Sequence, residues 1–209
     1  MKLGETLSNR TYHHGNLPEA LVSAGVELAR TGGPAAVVLR AASRAAGVSH
    51  NAAYRHYADR EDLLAAVAAR CMDRLGSLMV ARMEALPAAD PVDLAWARLD
   101  AIGRAYIEFA TTEHGWFRTA FSGAAAHGAK QPVTHPGAPA PYTLLADCLD
   151  GLVAVGALPA ERRPGAEYAA WSAVHGLSDL LVDGPLRELP PQEVAHAVEA
   201  VLTTAARGL

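Results

Sequence analysis

Apolar residues recur at helical spacing along most of this chain, and the gaps between the periodic stretches carry residues that start or stop helices. In "LPEALVSAGVELART" (17–31), Leu17, Leu21, Val22, Val26, Leu28 and Ala29 fall mostly on one stripe, with Pro18 near the start and Gly32-Gly33 as the stop. A second periodic segment, 37–46, ends at "AAGVS", where Gly47 suits a left-handed helix end. Ser49 then caps a short exposed helix over 50–57, so two helices meet across a turn of about three residues, the spacing of a helix-turn-helix unit. The run 58–86 starts on the cap candidate Asp59, has Asp62 three residues later, and continues as a long amphipathic helix until Pro87. Asp90 and Pro91 restart the pattern, which runs to about Thr112 and is followed by the short aromatic segment "GWFRTAFSG". Residues 123–141 have no period and are rich in Gly, Pro and Ala, which predicts a flexible loop. Three further helices are predicted over about 142–156, 164–183 and 191–206. The pattern predicts an all-α fold of about nine helices, with a three-helix domain over 1–60 and a larger helical domain over 61–209.

Composition agrees with that reading and narrows the function. Of 209 residues, 51 % are hydrophobic and only 6 % aromatic, so there is material for a core but little that favours strands. No stretch has the length of a signal peptide or of a membrane span, so a cytoplasmic protein with no membrane partner is expected. Cys71 and Cys148 stand far apart and read as buried thiols, and the scattered histidines suggest no metal site. The net charge of −4 hides a sorted distribution. Residues 1–60 hold seven Lys+Arg against four Asp+Glu, and the remainder hold eleven against eighteen. A basic amino-terminal third on an acidic protein is the electrostatic footprint of a nucleic-acid-binding module.

The stretch "VSHNAAYRHY" (48–57) fits that role. A short helix whose amino end meets base edges needs paired donors and acceptors, beside small neighbours that let the backbone approach. His50, Asn51, Ala52 and Ala53 supply both: an asparagine pairs bidentately with adenine, and an alanine methyl touches a thymine methyl. His13 and His14, with Lys2 and Arg10, form either an arm for a minor groove or a disordered tail.

Residues 39–64, "LRAASRAAGVSHNAAYRHYADREDLL", resemble the helix-turn-helix signature of TetR/AcrR-family transcriptional regulators through Ala46 to Ser49, Tyr54, His56, Tyr57 and Arg60. The upstream "YHHGNL" and the later "AAWSAVHGLSDLL" (169–181) resemble the subgroup with a carboxy-terminal Trp-His-Gly signature, here Trp171, His175 and Gly176. The resemblance implies that Arg40 reaches a base, that Tyr54 and Arg55 contact bases or backbone, that His56 and Arg60 hold phosphates, and that Ser49 belongs to the same interface. Three departures stand out. Tyr57 replaces a phenylalanine and brings a hydroxyl that needs a partner if buried. Ala42 and Ser43 replace bulkier and simpler residues, which predicts looser packing of the second helix. Asn51 stands where relatives often carry alanine, so no operator preference carries over.

The resemblance further implies a homodimer with the last two helices of each chain in a four-helix bundle, binding a duplex DNA operator and released by a small-molecule effector. Those helices are apolar around much of their circumference, and Leu177, Leu180, Leu181, Val194, Val198, Val201 and Leu202 are the interface candidates. Pocket candidates on the long middle helices are Met79, Met83, Trp96, Tyr106 and Phe109. Further along the chain they are His114, Trp116, Phe117, Phe121, Trp171 and His175, with a buried, hydrogen-bonded histidine in the dimer interface as the rival role for the last. No cofactor is implied. A helical enzyme lacks support, since there is no Gly-x-Ser-x-Gly elbow, no His-Glu-x-x-His and no phosphate loop. The remaining alternative is a helical ligand-binding or adaptor protein that lacks salt-dependent affinity for duplex DNA.

Overall fold

The computed structural model describes residues 17–123 and 140–209. Among these the chain forms nine α-helices and no strand. They are α1 (Leu17–Ala36), α2 (Leu39–Ala45), α3 (His50–Ala53), α4 (Arg60–Glu84), α5 (Pro91–Thr112), α6 (His114–Ala120), α7 (Pro141–Ala154), α8 (Ala166–Val182) and α9 (Pro191–Gly208), with one 3₁₀ turn at Ala160–Arg162. The predicted arm around His13 and His14 and nearly all of the predicted 123–141 loop lie outside the described residues. No helix among those described is long and apolar enough to cross a membrane.

Helix boundaries follow the local chemistry. The Ser49 hydroxyl accepts from the Ala52 amide at 3.2 Å, and Gly47 takes a φ of 69° at the preceding turn. Asp59 and Asp62 cap reciprocally: the Asp59 carboxylate accepts from the Asp62 amide and the Asp62 carboxylate from the Ala58 amide, each at 3.0 Å. Asp90 caps α5 through the Val92 amide at 3.0 Å, with Pro91 in the first turn. Two expectations need correction. The Gly32-Gly33 pair kinks the first helix rather than ending it: Gly33 alone is non-helical, with φ 61° and ψ −161°, and helical backbone resumes to Ala36. The short helix expected over 50–57 ends earlier, at Ala53. Beyond Ala53 the amides of Arg55 and His56 bond three residues back, tightening the chain into a turn before the Asp59 cap.

A single hydrophobic cluster runs from the amino-terminal helices into the middle of the molecule. Leu21 and Val26 of α1 pack with Leu63, Val67 and Cys71 in the first half of α4, whose second half meets Ile102 and Tyr106 of α5. Burying each such leucine stabilises the fold by about 1.5–3 kcal/mol. The α1–α4 approach is close: a Cβ on Gly25 would stand 2.5 Å from Val67 Cγ2. The sequence reading expected looser packing of the second helix. Instead Ala42 is fully buried, and buried Ser43 satisfies its hydroxyl on the Leu39 carbonyl at 2.7 Å. The Tyr57 hydroxyl finds its partner in the Pro18 carbonyl, at 3.4 Å.

The short helix α6 joins the two ends of the molecule. It lies against α1, where a Cβ on Gly115 would come within 2.1 Å of the Ala29 carbonyl oxygen, so only glycine permits this contact. Next to it the Trp116 indole N–H donates to the Val26 carbonyl at 2.8 Å, and its ring lies under the guanidinium groups of Arg74 (4.1 Å) and Arg30 (4.9 Å). Arg30 forks onto Glu113 at 2.9 and 2.7 Å, and Arg118 onto Asp183, so α6 is fastened to α1 at one end and to the end of α8 at the other.

Candidate functional site

Among the described residues, two surfaces bring together the candidates singled out from the sequence. The first is the helix-turn-helix face. Arg40, Arg44, His50, Asn51, Tyr54, Arg55 and His56 are all exposed, whereas Ala53 is fully buried and anchors α3 to the core. Arg40, Arg44 and Arg55 have no ion pair among the described residues, so their charge is available to a polyanion. The His50 and Tyr54 rings meet edge to face with centroids 4.7 Å apart, which restricts both side chains before anything binds. Ala52 is half-buried between them and keeps the backbone accessible. Arg44 was not singled out from the sequence; its place at the end of α2, level with the turn, puts it on this face.

Two of the expected contacts are already committed within the chain. Arg60, expected to hold a phosphate, donates to the Pro34 carbonyl at 2.7 Å and to Glu61 at 2.6 Å, tying the end of α1 to the start of α4. Any phosphate there would compete with both bonds. Ser49 uses its hydroxyl as the cap of α3.

The second surface is a cavity of about 680 Å³ between α4, α5, α7, α8 and α9. Of the pocket candidates, Met79, Trp96, Tyr106, Phe121 and Trp171 line it. The other six lie elsewhere, for distinct reasons. Phe109 stacks on Trp116 (centroids 6.4 Å apart, planes at 21°) beneath α1, so this pair fills the junction between the two ends of the molecule. Met83 faces a second cleft, one turn further along α4 and between it, α5 and α7, where the Cys148 thiol reaches its sulfur at 3.8 Å. His114 is exposed at the first turn of α6. Phe117 and His175 form a layer behind the cavity wall: the His175 ring lies 5.7 Å from Phe117 and 4.8 Å from Phe121. The bonding partner of His175 is therefore within its own chain, since Nδ1 sits 2.7 Å from the Tyr106 hydroxyl. With Nδ1 accepting from that hydroxyl, the imidazole proton is on Nε2, 3.7 Å from Asp179. The Trp171 indole N–H also donates to the Tyr106 oxygen, at 3.3 Å, and burial pushes the Tyr106 phenol well above its usual range. Trp171 and His175 thus turn inward, whereas Gly176 lies on the exposed side of α8.

Sequence reasoning missed Met72, Leu99, Gly103, Tyr142 and Arg207 as lining residues. Tyr142 directly follows the predicted loop, and the others carry no local signal. Leu202, assigned to the dimer face, lines the cavity as well, and a Cβ on Gly103 would stand 2.7 Å from its Cδ2.

Two of the dimer candidates, Leu177 and Leu181, need correction. Leu177 and Leu181 are buried against Ile107 of the same chain, and Val194, Val198, Val201 and Leu202 pack onto that cluster while remaining partly exposed. The apolar stripe of α9 therefore first covers its own protomer. What faces outward on α8 is Leu180, 42 % exposed, and Tyr168, 70 % exposed, with Ala169, Ser172 and Gly176 between them.

No curated protein matches the sequence. The solved structures do show the same fold. A protein of unknown function from Rhodococcus sp. RHA1 is 28 % identical, with a TM-score of 0.75 over 96 % of this chain and 98 % of its own. The fatty acid degradation regulator FadR from Bacillus halodurans is 14 % identical, with a TM-score of 0.63 over 96 % and 97 %. A TetR family transcription regulator from Marinobacter aquaeolei VT8 is 17 % identical, with a TM-score of 0.59 over 89 % and 93 %. The profile described as "Bacterial regulatory proteins, tetR family" matches residues 21–67, which span the exposed helix-turn-helix face. The profile described as "Tetracyclin repressor-like, C-terminal domain" matches residues 99–205, the helices around the cavity and half of the chain. The chain belongs to the TetR family and is a DNA-binding regulator of transcription.

Proposed function

We propose that two copies of this chain pair through the outer faces of α8 and α9 and act as a repressor on a near-palindromic operator, released when a small molecule enters the cavity between α4, α5, α7, α8 and α9. The observation that carries the reading is that α4 serves both surfaces. Its first turn, from Asp59 to Asp62, is capped directly after the reading helix, and its Met72 and Met79 line the cavity. A 25-residue helix is stiff over that length, so a ligand that displaces its middle also displaces the head attached to its start. A two-fold dimer sets its reading helices about 34–36 Å apart, one turn of DNA, and a tilt of α4 changes that spacing. The shift in DNA affinity equals the difference in the ligand's affinity for the two arrangements. Asn51, His50 and Arg40 read bases, while Arg44, Arg55 and His56 contact phosphates and set register.

The test is fluorescence anisotropy on duplexes from the intergenic DNA beside the gene, titrated at several salt concentrations. Tight, salt-dependent binding to one near-palindromic fragment is expected. Equal weak binding to every fragment would mean that the basic face is only a solvated surface.

A further inference from the structure

We infer that Tyr54 is a positioning residue for His50: its ring holds the imidazole in one orientation, so that His50 meets its base as a preformed contact while Asn51 beside it adapts. This rests on the operator reading, in which His50 and Asn51 face bases. Helix α3 supplies the register. His50 opens it and Tyr54 follows four residues later, which places the two side chains on one face, a turn apart. The Tyr54 amide bonds to the His50 carbonyl at 3.2 Å. At the next two residues the chain tightens, with the Arg55 and His56 amides reaching back only to Ala52 and Ala53. Tyr54 is thus in helical register with His50 immediately before the chain leaves that register. Their rings meet edge to face, with centroids 4.7 Å apart and planes at 78°.

The Tyr54 ring has no part in the core. It is 50 % exposed, lies outside the hydrophobic cluster, and its hydroxyl has no hydrogen bond among the described residues. Tyr57, three residues on, is the opposite case: it packs on the cluster and bonds the Pro18 carbonyl. Asn51 shares the exposed face, yet its side chain has neither a hydrogen bond nor a ring contact among the described residues. Of the two readers, one is held and the other is free. The difference matters because a neutral imidazole presents different groups around its rim: one nitrogen donates, the other accepts, and the carbons do neither well. A ring free to turn offers a base edge any of these, and a held ring offers one. A loose side chain also loses rotamer freedom when it docks, worth roughly threefold to tenfold in affinity, and a held one has already lost it.

The test uses the full-length protein and the duplex it enriches from a random library, with single-base variants of that duplex titrated by fluorescence anisotropy. His50→Ala and Asn51→Ala each mark the base pair whose discrimination they remove. Tyr54→Leu should lower discrimination roughly threefold to tenfold at the His50 base pair and leave the Asn51 base pair as it was. Tyr54→Phe, which keeps the ring, should restore it, and adding Tyr54→Leu to His50→Ala should cost nothing further. In the free chain, the His50 ring protons should shift in NMR spectra when Tyr54 becomes leucine. Equal losses at both base pairs would reduce Tyr54 to a prop for the helix and overturn the inference. A loss in Tyr54→Phe would do the same, since the hydroxyl would then be touching DNA itself, as would His50 proton signals indifferent to the Tyr54 ring. An enriched duplex that Tyr54→Leu reads as well as the parent chain would sink this inference alone. No enriched duplex at all would sink the operator reading with it.

Discussion

Asn51 is exposed on the first turn of α3, and its carboxamide is the side chain best matched to a base edge there. Asn51→Ala should cost about 1–3 kcal/mol of discrimination between the operator and a fragment altered at one adenine, read by anisotropy, with the melting temperature unchanged. Cys71 makes the opposite kind of prediction, about the fold and not the function. Burial pushes its thiol from 9.0 up to about 12, so between those values the folded chain keeps a proton that the unfolded chain has lost. Its stabilising share is complete below about pH 9 and disappears as pH rises towards 12. Urea unfolding at pH 8 and pH 10.5 should show this loss, and Cys71→Val should reduce it. Cys148, raised by burial to about 11, leaves a residual slope of the same sign.

At the scale of elements, α6 is only seven residues long, and its position depends on a missing side chain. Gly115→Ala places a methyl carbon against two carbonyl oxygens of α1, which a rigid helix cannot turn aside. The variant should lose about 1–3 kcal/mol or more of stability in urea unfolding. Asp59→Ala removes the cap of α4 and should cost about 0.5–2 kcal/mol, because it exposes an unbonded amide without opening a cavity. These elements differ in how far the sequence disclosed them. Asp59, Asp90, Ser49 and Gly47 act within three residues of themselves, so their roles were readable from spacing alone. Gly115 and Trp116 act on residues about 90 positions away, and nothing near them in the chain says so.

For the whole molecule, the consequence lies in how DNA binding responds to salt and to pairing. Log affinity for the operator should fall linearly with log salt, and Arg44→Ala or Arg55→Ala should each reduce the slope by about one per lost phosphate contact. Leu180 stands outward on α8 in the proposed dimer face, so Leu180→Arg should yield monomers in sedimentation while preserving helical content. Those monomers should bind a half-site weakly and lose the preference for a palindrome, since two linked heads bind with a gain that single heads lack.

The sequence by itself determined the helices, most of their caps and the reading head. Each follows from 3.6-residue periodicity or from a side chain bonding its immediate backbone neighbours, and the motif around Asn51 is contiguous. Only the tertiary structure decided which aromatic residues face a cavity. Trp116, Phe109 and Trp171 look alike in the sequence, yet the first two fill the junction with α1 while the third lines open space. The tertiary structure also decided that Leu177 and Leu181 serve their own protomer, because burial depends on what α5 presents to them across some 70 residues of chain. Periodicity tells which side of a helix is apolar; what covers that side is set by packing between segments distant in the chain.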